Sequence, residues 1–210
     1  MGEIGDEIEV LAGDERRDRY RRLALGLRNY VKTIDPEVFA SRLRRRIGVN
    51  DEIGHCMLDT EGAGELLRRL HFIINRNDSA GTLGNGYFRV LAEKLSFETL
   101  AFFMLYLGGG RSSWGERVVK AAACSAIITR LVINMYVNGE RAKGRVRSGI
   151  FREVKEGVEE GIREAISSLS GRKALVHVKV RGNNVFGEVE VKIPEIGLSR
   201  RVNLASWGRG

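Results

Sequence analysis

The chain has 210 residues, 43% apolar and 30% charged with only 2 Pro, a balance that supports a packed core and excludes wholesale disorder. Lys and Arg outnumber Asp and Glu by 35 to 27, and the resulting net charge of +8 suits an anionic partner without demanding one. Two cysteines exclude a disulfide framework and point to a reducing, cytoplasmic setting.

Residues 1–15 hold six acids and no base, and the first residues lack the basic and apolar regions of a secretory signal. This acidic head reads as a solvated tail, although it could also fold back on the basic segment that follows. Residues 16–46 then carry a net +8. Asp14 caps a predicted helix to about Lys32, with Leu23, Leu27, Tyr30 and Val31 on one face and Arg17, Arg21 and Arg28 near one stripe. Asp35-Pro36-Glu37 is a strong second start, because the cap precedes a proline whose missing N–H costs nothing there. That helix is expected to end near Ile47-Gly48, where Arg44 to Arg46 suit a helix C-terminus.

Thr60 begins a third predicted helix, with Leu66, Leu67, Leu70, Ile73 and Ile74 at helical spacing, and a polar connection from Asn75 to Gly86 follows. Tyr87 to Leu95 reads as helix. Ser96 is expected to cap a further helix from Phe97 to Leu107, stopped by Gly108-Gly109-Gly110. Ser113-x-x-Glu116 is a capping box opening a long apolar helix that should close at Asn138-Gly139. Its window Val118 to Val137 is long enough for a membrane span, but Lys120 and Arg130 inside it fit a buried bundle helix better. A last helix is predicted over Gly149 to Leu169.

The period then changes from 3.6 to 2. Val176, Val178 and Val180 alternate with His177, Lys179 and Arg181, and Val189, Val191 and Ile193 alternate with Glu188, Glu190 and Lys192. Pairing Val178 with Val189 sets Lys179 opposite Glu188 and His177 opposite Glu190. Ile196, Leu198, Val202 and Leu204 continue the alternation into a third strand. The expected fold is mainly α, a helical bundle with a small C-terminal antiparallel β-meander (α+β). It divides into an acidic segment 1–15, a helical body 16–172 and a small sheet 173–210 packed on the body.

Chemistry-bearing constellations are thin. His55 and Cys56 are neighbours in sequence and therefore point apart, while Cys124 among alanines reads as a small core residue. Three histidines and no Cys-x-x-Cys give no metal or haem signature. Glu190-x-Lys192 matches the end of a metal-dependent nuclease pattern, but no aspartate follows residue 78 to complete it. No catalytic residue, metal or cofactor is expected. Gly108 to Ser113 has the ingredients of an anion site, with Arg111 as a donor, but a plain capped turn explains it without a ligand.

The stronger signal is Arg141, Lys143, Arg145 and Arg147, alternating through a glycine-bearing link and followed by Arg152 and Lys155. A run this basic resists helix formation and, when extended, follows a phosphate backbone. Arginine also forks onto phosphate oxygens as lysine cannot, and the chain has 27 Arg to 8 Lys. A hot habitat or the base composition of a genome also produces that bias. No aromatic residues interleave, so base stacking is not indicated.

Leu66-Leu67-Arg68, Ser79 to Leu83, and Leu91-Ala92-Glu93-Lys94-Leu95-Ser96-Phe97-Glu98-Thr99-Leu100 give a helix, a turn and a leucine–alanine helix broken by Leu-Ser-x-Glu. This stretch resembles the small helical subunit of archaeal type I-A CRISPR interference complexes. The resemblance implies a non-catalytic subunit packed beside others along guide RNA and displaced DNA, and it assigns no functional residue. The expected function is thus a non-enzymatic subunit of a nucleoprotein assembly. Its partners would be an RNA or DNA backbone and either other subunits or further copies of itself, with no membrane. The alternatives are a self-assembling DNA coat or nucleoid protein and a metal-dependent nuclease.

Overall fold

The computed structural model describes residues 33–47, 58–79, 86–107, 113–142, 149–181 and 185–204. Among these, five helices precede three strands: α1 (Pro36–Ile47), α2 (Thr60–Ser79), α3 (Tyr87–Tyr106), α4 (Trp114–Ala142), α5 (Gly149–Ser170), β1 (Leu175–Arg181), β2 (Val185–Ile193) and β3 (Leu198–Asn203). The fold is therefore α+β, as the periodicities predict.

Two predicted caps form. Asp35 Oδ1 accepts the N–H groups of Glu37 and Val38 at 2.8 and 3.2 Å, and Ser113 Oγ accepts that of Glu116 at 3.2 Å. α2 begins at Thr60 as expected, and its capping oxygen belongs to Asp59, which accepts the Gly62 N–H at 2.6 Å.

Besides α2, which continues from Asn75 to Ser79 where a polar connection is expected, three boundaries differ from expectation. α3 runs unbroken through Ser96, whose hydroxyl donates to Thr129 Oγ1 at 3.1 Å while its carbonyl accepts the Ser125 hydroxyl at 2.7 Å. A serine with partners on α4 has no need to cap, so the helix continues. Second, α4 passes through Asn138-Gly139 to Ala142. Third, Ile196 lies in a 3₁₀ turn over Pro194–Ile196 rather than in a strand; it is exposed, and Gly197 closes the turn at φ 63°.

Cys124 is buried as expected, but it is disulfide-bonded, and the sequence contains one other cysteine, Cys56. Such bonds persist in oxidising compartments and, inside cells, chiefly in hyperthermophiles. The cysteine count thus no longer argues for a reducing setting. No described helix is long and apolar enough to cross a membrane.

One apolar cluster runs from Phe39 to Leu204, so helices and sheet share a single core. α3 is its centre, packing on α2, α4 and α5. Gly157 and Gly161, one turn apart on α5, face the carbonyl oxygens of Arg89 and Glu93 on α3 so closely that a Cβ at either glycine would collide with them. The two helices therefore meet backbone to backbone.

The sheet order is β1-β2-β3, antiparallel throughout. Val178 pairs with Val189 and Lys179 with Glu188, the register that the alternation predicts. An irregularity between Lys179 and Val180 then shifts the pairing so that Val180 faces Phe186; Val180 stays partly exposed and Phe186 is buried. Val178, Val189, Val191 and Ile193 are fully buried on the inner face, where β1 packs on α5 and β2 on α4. Each such side chain adds about 1.5–3 kcal/mol of burial free energy.

Candidate nucleic-acid interface

Of the nine arginines and lysines that the sequence nominates, Arg17, Arg21, Arg28, Arg111, Lys143, Arg145 and Arg147 lie outside the described residues. Arg141 falls in the last turn of α4, so the basic run begins on a helix rather than in extended chain. Arg152 stands in the first turn of α5 with its side chain 84% exposed, and its Nε lies 3.1 Å from Glu156 Oε1. An exposed pair one helical turn apart is worth at most about 0.5 kcal/mol and yields readily to a phosphate.

Arg152 lines a groove of about 500 Å³ between α5 and β1, with Phe151, Lys155, His177, Val178, Lys179 and Val180. The two walls meet at Glu159, which is buried on α5. Its Oε1 lies 3.2 Å from Lys155 Nζ, while its Oε2 lies 3.0 Å from His177 Nδ1 and accepts the Val178 N–H at 2.9 Å. Lys179 Nζ lies 3.0 Å from Glu188 Oε1, an ion pair without hydrogen-bond geometry. Arg152, Lys155 and Lys179 thus face Glu156, Glu159 and Glu188 in equal number.

Arg130 of α4 lies behind the groove, 6% exposed, its guanidinium carbon 4.1 Å from the Phe151 ring centroid and 5.3 Å from that of Phe186. Burial lowers its pKa, yet a guanidinium stays charged at neutral pH. It joins α4, α5 and β2 through cation–π contacts.

On the outer sheet face His177 turns to Glu159, although its strand partner is Glu190. Glu190 instead holds Lys192 Nζ and Arg201 Nε, each at 2.7 Å, and these partners keep its carboxyl below the usual range, Lys192 most of all. The carboxylate of the nuclease-like Glu190-x-Lys192 pair is thus engaged by two cations. Among the described residues no three His, Cys, Asp or Glu gather as metal ligands.

Elsewhere two carboxyls meet where α3 crosses α5. Glu93 is pushed up to about 7, first by burial and then by a hydrogen bond with Glu164, with Glu160 adding repulsion and Arg89 opposing the rise. Glu153, also on α5, accepts the N–H groups of Gly86 and Phe88 at the start of α3, while burial raises its pKa. Neither carboxyl pattern was visible in sequence, because each joins residues of α3 and α5 more than sixty positions apart. The alternation did mark His177 and Lys179, but not that α5 faces them.

Comparison with protein families, with curated proteins and with solved structures finds no match to this chain.

Proposed function

We propose that the chain is a non-enzymatic subunit that binds a nucleic-acid backbone within a larger nucleoprotein assembly. The observation that carries this reading is the position of Arg152. The basic residues Arg141, Lys143, Arg145 and Arg147 lead directly into α5, whose first turns present Arg152 and Lys155 to a groove that Lys179 and His177 line from β1. A polyanion lying along the run would reach the groove and displace the exposed Glu156 from Arg152. The likeness of residues 66–100 to a CRISPR small subunit fits the same role of a helical subunit on nucleic acid.

Binding should be independent of base sequence, since the groove offers charges and an apolar floor but no exposed aromatic platform. The test is titration of duplex and single-stranded probes at several salt concentrations against Arg145→Ala/Arg147→Ala/Arg152→Ala. The triple variant should bind every probe more weakly, and its log–log salt slope should flatten by about 0.7–0.9 for each phosphate that is no longer neutralised. Unchanged affinity and slope would overturn the reading. A coat protein using the same side chains would add DNA-dependent filaments, visible by electron microscopy.

A further inference from the structure

Glu65, Arg69, Phe72 and Arg76 recur along α2 at steps of four, three and four, the spacing of a coiled-coil seam. Leu66, Leu67, Leu70 and Ile74 are buried on the core side of the helix, so this seam lies on its outer side. Phe72 is 59% exposed there, and Arg76 is exposed one turn beyond it. Beside Phe72 lies a hollow of about 410 Å³, lined by Glu65, Arg68, Arg69, Phe72, Ile73 and Glu98. The first four stand at i, i+3, i+4 and i+7, the arrangement that receives a side chain from a facing helix. Arg69 donates to Glu65 Oε1 and Glu98 Oε1 at 3.1 Å each and lies 5.4 Å from the Phe102 ring centroid. These contacts hold the wall of the hollow in place.

The same stripe supplies a matching side chain. When α2 of a second copy runs antiparallel with its Phe72 level with Arg69, Glu65 falls level with its Arg76. A two-fold axis repeats both pairs, so ring meets guanidinium and acid meets base along the whole seam. A parallel pairing would instead set Glu65 against Glu65 and Arg76 against Arg76. On α3, Leu105 lies two turns from Glu98 on the same stripe and is 76% exposed, so apolar surface continues beyond the hollow.

We infer that two copies of this chain pair through α2, antiparallel and two-fold, each placing Phe72 in the hollow of the other. The contact is isologous and closes at the dimer. It is independent of nucleic-acid binding, because none of these residues lines the groove beside Arg152.

The test is sedimentation of the full chain across concentration without nucleic acid, with circular dichroism confirming that each variant folds. Wild type should reach twice the 23.4 kDa monomer. Phe72→Glu should raise the dissociation constant by about tenfold or more, since a charge would enter the hollow. Glu65→Arg and Arg76→Glu should each weaken the dimer, although they shift the net charge in opposite directions. Combining the two in one chain should restore it, because acid and base have only changed places. A wild type that is monomeric at every concentration overturns the inference, whether another protein or nothing then covers the hollow. So does self-association that Phe72→Glu leaves unchanged. A double variant that pairs no better than its two parents, while wild type dimerises, also overturns it.

Discussion

Glu159 on α5 accepts the main-chain N–H of Val178 at 2.9 Å, so a side chain satisfies one amide on the edge of β1. The same carboxylate holds His177 and Lys155. Glu159→Ala leaves a buried N–H without a partner and a lysine without its counter-ion, a loss of about 2–3 kcal/mol. Urea denaturation should show that loss as a lower midpoint at unchanged slope. Glu159→Gln, which still offers an oxygen to Val178, should lose less.

The Glu93–Glu164 contact makes stability depend on pH. Glu93 titrates near 7 in the folded chain against an ordinary 4.5. Between those values the folded state keeps a proton that the unfolded chain has released, so stability falls as pH rises toward 7 and levels off above it. Glu93→Gln removes the ionisation. Thermal melts from pH 5 to pH 8 should therefore show a smaller decline in Tm for the variant, and a higher Tm than wild type at pH 8. An equal decline in both would refute the assignment.

Gly157→Ala places a methyl group against the Arg89 carbonyl, where main chain rather than a flexible side chain must yield. A cost of at least about 3 kcal/mol is expected, at the upper end of overpacking effects. Gly115→Ala is the control, since a Cβ there meets only the Leu198 side chain at ordinary contact distance. Chemical denaturation of the two variants side by side decides the matter.

Reduction should lower stability. Cys124 is disulfide-bonded, and such a bond is typically worth about 2–4 kcal/mol. A melt with and without dithiothreitol should show the loss, and Cys124→Ser should reproduce it without reductant. A melting curve indifferent to reductant would contradict the bond.

Local chemistry was legible in the sequence; contacts between distant segments were not. Asp35 and Ser113 cap as their spacing implies, and the valine alternation sets the register at Val178 and Val189 without knowledge of the bundle. Ser96 misleads because its cap-like neighbourhood conceals a partner on α4. Arg152 is nominated by charge alone, whereas the groove beside it exists only because α5 folds back against β1, and no local pattern encodes that approach.

Arg130 links the helix beside that groove to the sheet. Phe151 belongs to the α5 wall and Phe186 to the strand beside β1, and one guanidinium lies against both rings. The guanidinium thus ties the helix that carries Arg152 and Lys155 to the middle strand of the sheet through contacts that require no ligand.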